Sequence, residues 1–329
     1  VKEQEILKIG EFFENISASE FKAFLSRKET TEIPSGEYHR NFRIKIGNKP
    51  YLLRVNHGSQ MHLENQMEYE FSALKNLYPS GRTPFPYYFN DEKKIYPHVF
   101  IVEEFLAGRP LDYITDMDEA ASILADIHSL PVPRDNILIE SHNPHEEIFE
   151  EAESMFGIYR KNHHSSEKIT DLIEGGFRRL KSEAEKLKIQ SFGKSIINTE
   201  LNSHNFIIGE EGKGFLIDWE KPLLGNPLQD LGHFLAPTTT FWRTEIILRE
   251  EEKEKFLSSY ETRKGNILSD DEREYIDFLI RCNCLRGITW CSMAYVQYLD
   301  KNKEIRNTSQ FEKIKKYLEE DFIRTYLPS

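Results

Sequence analysis

Residues 196–208 read Ile-Ile-Asn-Thr-Glu-Leu-Asn-Ser-His-Asn-Phe-Ile-Ile, and residues 215–220 follow as Phe-Leu-Ile-Asp-Trp-Glu. The first stretch is a polar loop carrying Asn198, Glu200 and Asn205 between apolar runs, and the second is an apolar run that ends in Asp218. Short apolar runs bounded by turn-forming residues read as strands. The pattern therefore predicts strand, loop and strand, with amides and acids delivered where strands end. Phosphoryl transfer needs that layout: one carboxylate to orient the attacking hydroxyl, and oxygen ligands for magnesium on the nucleotide phosphates. A strand-turn-strand with incidental Asn and Asp is the plainer alternative.

Beyond their chemistry, these residues resemble a family. The loop is similar to the catalytic loop of the aminoglycoside phosphotransferase and choline kinase family, His-x-Asp-x-x-x-x-Asn, and the five-residue interval from Glu200 to Asn205 fits it. Ile217-Asp218-Trp219-Glu220 resembles that family's counterpart of the Asp-Phe-Gly metal motif. Gly225-Asn226-Pro227-Leu228-Gln229-Asp230-Leu231 resembles its Gly-x-Pro-x-x-Asp-Leu continuation. The resemblance implies a protein kinase-like α+β fold of two lobes, a small N-terminal antiparallel sheet lobe (residues 1–103) and a larger helical lobe (residues 104–329). It also implies ATP or GTP with Mg2+ as cofactors, Asn205 and Asp218 as magnesium ligands, and Asp230 as a brace for the loop.

Glu200 stands where the family has its catalytic Asp, and Asn198 where it has His. Glutamate has nearly the intrinsic pKa of aspartate. Its extra methylene moves the carboxylate by roughly 1 Å, and misplacement on that scale can cost about 100-fold where catalysis is positioning. In a loose transition state the base orients more than it deprotonates, so a displaced carboxylate can serve. The amide of Asn198 both donates and accepts, as a structural His would. Two readings follow: a small-molecule kinase with Glu200 and Asn198 as its catalytic-loop pair, or an impaired pseudokinase that binds nucleotide or acts as an interaction module.

Upstream, Phe42, Ile44 and Ile46 alternate with Arg43 and Lys45, a Gly47-Asn48-Lys49-Pro50 turn follows, and residues 51–55 resume an extended run. This predicts a β-hairpin. Helical spacing over residues 64–77 puts Tyr69, Ala73, Leu74 and Leu77 on a face that could meet a sheet, with Glu70 on the same helix. By resemblance, Arg54 is the third-strand cation that holds the phosphates and Glu70 its helix partner. An Arg can grip phosphate in a bidentate way. Residues 34–41 resemble the family's phosphate-covering loop, which would use backbone at Ser35 and Gly36, although an ordinary connecting turn fits as well. Val99 to Val102 predicts a buried strand, and the segment after it resembles the hinge whose main chain, at Glu103 and Phe105, holds adenine.

The remainder predicts helices over 120–130 and 270–300 and a polar, solvated helical insertion over 139–190. His128 reads as structural, His163-His164 as a solvated loop, and the helix with Trp290, Tyr295 and Tyr298 as core or, by resemblance, as an acceptor-pocket wall. Three cysteines in one apolar stretch predict buried thiols and no disulfide framework. A formal charge of -12, with 39% hydrophobic and 30% charged residues, predicts a soluble protein without affinity for nucleic acid or anionic membrane. No signal-peptide pattern or long apolar run occurs, so the expectation is a cytoplasmic enzyme acting on a small-molecule acceptor.

Overall fold

The computed structural model describes residues 2–33, 38–59, 61–187, 193–299 and 308–327. It opens with α1 (Lys2–Glu14) and α2 (Ala18–Leu25). Ser17 starts α2 with a capping box: its hydroxyl accepts from Glu20 N–H at 3.3 Å while the Glu20 carboxylate accepts from Ser17 N–H at 2.9 Å. Next come β1 (Thr31–Ile33), β2 (His39–Ile46) and β3 (Lys49–Asn56), then α3 (Gln66–Leu77), β4 (Pro86–Asn90) and β5 (Phe100–Glu104). The five strands form an antiparallel sheet in the order β1-β2-β3-β5-β4.

Alternation assigns each face of this sheet. Phe42, Ile44, Ile46, Tyr51, Leu53 and Val55, with Phe100 of β5, bury one face against Phe13 and Phe21. The other face carries Arg54 and its cross-strand partner Asn41, and is turned toward the rest of the chain. The hairpin expected from the sequence is present, with Ile46 paired to Lys49 and Gly47 at φ 65° in the tight connection. Helix α3 docks across the interface through Tyr69, whose hydroxyl donates to Pro222 O at 2.5 Å and accepts from Ile139 N–H at 3.0 Å.

Past β5 the chain is mainly helical: β6 (Arg109–Pro110), α4 (Met117–His128), α5 (Pro144–Arg160), α6 (Glu167–Ala184), then β7 (Ser195–Ile197), β8 (Phe206–Ile208), β9 (Gly214–Leu216) and β10 (Leu223–Gly225). It ends with α7 (Leu228–Leu235), α8 (Pro237–Arg243), α9 (Glu250–Lys264), α10 (Asp270–Leu299), α11 (Thr308–Tyr317) and α12 (Glu320–Tyr326). Small antiparallel pairings, β10 with β7 and β6-β8-β9, hold the polar loop of residues 198–205 at the surface of the helical core. Gly108 is required here, because a Cβ on it would lie 2.5 Å from Ile208 O. The architecture is α+β, an antiparallel sheet lobe followed by a largely helical part.

One expectation is corrected. The described residues of the 139–190 stretch are not a solvated insertion: α5 packs along α10 and buries Ile148, Phe149, Ala152, Phe156 and Tyr159, while α6 buries Ile173, Phe177 and Leu180. The polar surplus sits on the outer faces, and the apolar stripe at helical spacing decides burial. His163 and His164 are exposed, and Cys282, Cys284 and Cys291 are buried thiols. Tyr298 is buried in the core, whereas Trp290 is partly exposed and packs edge-on against Trp242 at 5.1 Å. Among the described residues no helix is long and apolar enough to cross a membrane.

Candidate functional site

β7 delivers the loop, and Asp230 holds its start. The fully buried carboxylate, in the first turn of α7, accepts from Asn198 N–H at 2.9 Å and from Thr199 N–H at 2.9 Å. His128 Nε2 lies 3.3 Å from the same carboxylate, with Nδ1 3.0 Å from the Tyr260 hydroxyl. Burial lowers the pKa of His128 against the pull of Asp230, which suits a structural imidazole. Thr199 has φ 66°, a strained backbone for a β-branched residue. The bond to Asp230, and one from its hydroxyl to Lys221 O at 3.2 Å, keep it there.

Asn198 is almost completely buried and works inward. Its Nδ2 donates to Asp218 O at 3.0 Å and its Oδ1 accepts from Glu200 N–H at 3.1 Å. One amide thus ties the segment carrying Asp218 to the backbone of Glu200. At the far end of the loop, Asn205 Nδ2 donates to Glu200 O at 2.6 Å and Asn205 O accepts from Ile217 N–H at 2.8 Å. Leu201 N–H donates to His233 Nδ1 at 2.9 Å.

The Glu200 side chain is partly exposed, with Arg286 NH2 3.6 Å and Lys221 Nζ 4.0 Å from its Oε1. Both cations are also bound by Glu151: Lys221 at 3.0 Å, and Arg286 at 2.6 Å through Nε and 3.2 Å through NH2. Burial works against the Glu151 carboxylate, yet Arg286 and Lys221 overcome it and hold the group well below the usual carboxylate range.

Asp218 sits at φ 62° directly after Ile217, where the chain leaves β9. Arg54 NH2 lies 3.2 Å from Asp218 Oδ1 and 3.5 Å from Glu70 Oε2. Glu70 Oε1 lies 3.0 Å from His39 Nε2, and His39 Nδ1 lies 2.8 Å from Glu220 Oε2. The His39 contacts have ion-pair distances without hydrogen-bond angles. Gln66 Nε2 completes the layer by donating to Glu70 Oε1 at 3.0 Å and to Glu220 O at 2.6 Å. Burial opposes protonation of His39, but Glu220 and Glu70 outweigh it and raise its pKa to about 9, so it is an imidazolium at neutral pH. Burial raises Asp218, helped by Glu220 and Glu70 and opposed by Arg54.

The residues present fit a magnesium ion. Asn205 commits its amide N–H to Glu200, leaving Oδ1 as its free ligand type, and the Asp218 carboxylate adds hard oxygen donors. Burial pushes Asp218 up, helped by Glu220 and Glu70, and a divalent cation would offset that crowding.

Of the residues singled out from sequence, Arg54, Glu70, Asn198, Glu200, Asn205 and Asp218 are joined by one set of hydrogen bonds and ion pairs between the sheet and the helical part. Glu103 lies on β5 opposite Leu52 and Pro86, its side chain buried; burial, abetted by Glu70 and Asp218 and opposed by Arg54, raises its pKa to about 7. Phe105 is half-buried beneath the Arg43 guanidinium, 4.8 Å from the ring centre. Ser35 and Gly36 lie outside the described residues.

Sequence reasoning missed His39, Gln66, Glu151, Lys221 and Arg286. His39 carried a signal: strand period puts residues 39 and 41 on one face, and Asn41 is the cross-strand partner of Arg54. Glu220 ends the stretch that carries Asp218, and the resemblance assigns it no role. Glu151 and Arg286 sit on helices far apart in the chain, and nothing local marks them.

The model of the phosphotransferase enzyme family matches residues 29–275. No curated protein matches the sequence. Among solved structures, a spectinomycin phosphotransferase in complex with ADP and spectinomycin has TM-score 0.62 at 18% identity over 89% of each chain. The choline kinase of Streptococcus pneumoniae has TM-score 0.57 at 22% identity, over 90% of this chain and 96% of its own. An ethanolamine kinase of Plasmodium vivax has TM-score 0.56 at 16% identity, over 91% of this chain and 82% of its own. At these identities the likeness is one of fold.

Proposed function

This chain belongs to the phosphotransferase enzyme family, and from that premise we propose that it moves the γ-phosphate of ATP or GTP to a hydroxyl of a small molecule of the aminoglycoside, amino alcohol or sugar class. The observation that carries the reading is the continuous bonding from Arg54 through Asp218 and Asn198 to the backbone of Glu200, which supports assigning a phosphate-gripping cation, a metal-binding acid and a hydroxyl-orienting acid to one site.

In this reading residues 1–103 present the nucleotide and residues 104–329 the acceptor. Arg54, held by Glu70, grips the phosphates, and the main chain at Glu103 and Phe105 meets the base. Asn205 and Asp218 would hold magnesium, which when bound spreads the charge of the phosphate oxygens. Glu200 orients the acceptor hydroxyl toward the γ-phosphorus and takes up its proton as the new P–O bond forms and the bond from the γ-phosphorus to the bridging oxygen breaks, releasing the nucleoside diphosphate. Asn198, buried, acts on the loop and not on substrate. The neighbours whose structures contain ADP, AMP or AMP-PNP support a nucleotide at this site.

The test is a thermal-shift titration with ATP, ADP and GTP, each with and without magnesium, on the wild type and Asp218→Asn. Stabilisation that requires magnesium and disappears in Asp218→Asn supports the site, and opens an acceptor screen with Glu200→Ala as control. If no nucleotide stabilises the wild type, the phosphotransferase reading fails.

A further inference from the structure

Two cations from different parts of the chain reach the Glu200 side chain, and a third residue, Glu151, binds both of them. Glu151 comes from α5, Lys221 from the turn before β10, and Arg286 from α10. Arg286 is largely buried, so its guanidinium sits in one place, and it meets Glu151 side-on through Nε at 2.6 Å and NH2 at 3.2 Å, the two-point geometry that fixes orientation as well as distance. From that anchor the same NH2 lies 3.6 Å from Glu200 Oε1, and Lys221, tied to Glu151 at 3.0 Å, lies 4.0 Å from the same oxygen.

Arg286 also backs the loop itself. Its NH1 is 3.4 Å from His233 Nε2, and His233 Nδ1 accepts the Leu201 N–H at 2.9 Å. With Nδ1 accepting, Nε2 carries the proton, so the Arg286 contact there is packing between two donors and not a hydrogen bond. The imidazole stays neutral under this arrangement: burial first, then Arg286, push its pKa down to about 3.

A glutamate has one more rotatable bond to immobilise than an aspartate, and a carboxylate adrift by about an ångström forfeits much of its use where positioning is the catalysis. We propose that Glu151, Arg286 and Lys221 form a clamp that fixes the Glu200 carboxylate, with Arg286 as the principal positioning residue, and that this clamp is what allows a glutamate to orient the acceptor. The proposal rests on the reading of Glu200 as the acceptor-orienting carboxylate. Neither Arg286 nor Glu151 touches the reacting atoms in it; both act through Glu200.

A double-mutant cycle tests it. Phosphate release from magnesium-ATP with water as acceptor, and ADP formation with choline, spectinomycin and glucosamine as trial acceptors, are measured for the wild type, Arg286→Met, Arg286→Lys, Glu151→Gln, Glu200→Ala and Arg286→Met/Glu200→Ala. The expected result is a fall in kcat of about 10- to 100-fold for Arg286→Met with KM for ATP within about twofold, partial recovery in Arg286→Lys, and an intermediate loss in Glu151→Gln. In the Glu200→Ala background the Arg286 substitution then changes the rate by less than about twofold. An equal loss in both backgrounds overturns the clamp while leaving Glu200 its role. A Glu200→Ala enzyme with full rate would instead remove the reading beneath it. Crystal structures of the wild type and Arg286→Met with AMP-PNP and magnesium supply an arm that needs no turnover. One Glu200 conformer in the wild type, lost or displaced in the variant, supports the clamp, and an unchanged Glu200 in the variant overturns it.

Discussion

Replacing Glu103 by glutamine makes the protein more stable at alkaline pH, with a size set by the cleft. Glu103 is 3% exposed at the end of β5, and its pKa rises from the ordinary 4.5 to about 7 because burial penalises the anion and Glu70 and Asp218 add to the penalty while Arg54 offsets part of it. A folded-state pKa above the unfolded one means that the folded protein holds the proton more tightly, so the contribution to stability is fullest below pH 4.5 and is lost as pH rises through about 7. Integrating between those two values gives a loss of about 3 kcal/mol at pH 8 and about 1 kcal/mol at pH 5. Glutamine is nearly the same size and does not titrate. Urea unfolding of the wild type and Glu103→Gln at pH 5, 6, 7 and 8 should therefore show a stability difference that moves in favour of the variant by about 2 kcal/mol across the series, with unchanged m. A difference that stays flat with pH, or a wild type that gains on the variant at pH 8, would refute the reasoning, since it would mean that Glu103 is ionised and paired in the folded protein.

Three other outcomes follow from the same geometry. His39→Ala leaves Glu70 and Glu220 without the cation between them and should cost about 3 kcal/mol in urea unfolding at pH 7, with His39→Lys recovering part of it. His233 has a folded pKa of about 3 against an ordinary 6.5, so its contribution is intact above pH 6.5 and falls away toward pH 3, by about 3 kcal/mol at pH 4.5; His233→Gln, whose oxygen can accept the Leu201 N–H without titrating, should flatten that acid limb of the stability curve. Gly108→Ala sets a Cβ 2.5 Å from the Ile208 carbonyl oxygen, and the resulting shift of the segment against β8 should lower stability by about 2 kcal/mol, read as a drop in the urea midpoint.

The sequence exposed the fold through particular stretches. Alternation over residues 42–55 predicts a hairpin that exists with a two-residue connection, and the strand expected over 99–102 is β5, which begins one residue later at Phe100 and runs on to Glu104. Helical spacing found α3 to within two residues at its start and placed Tyr69 on the docking face. Over residues 139–190 composition points to solvent while periodicity points to burial, and periodicity prevails. In α6 the apolar residues Ile173, Phe177 and Leu180 make a narrow stripe that a count of charges hides.

Sequence alone determined what interactions of short range can determine: which segments alternate, which turn, and that Glu200, Asn205 and Asp218 follow one another at the spacing of a phosphotransferase loop. It could name Arg54 and Glu70 only by likeness to a family; strand period places His39 on the face of Arg54, but not between Glu70 and Glu220, and nothing local joins Arg286 to Glu200 or Glu151 to Arg286. Those pairings are between residues dozens to more than a hundred positions apart, and they form only because the packing of α5 on α10 and of the sheet on the helical core removes water from charges that would otherwise be solvated separately. The local code wrote the loop; the tertiary structure decided which charges face it.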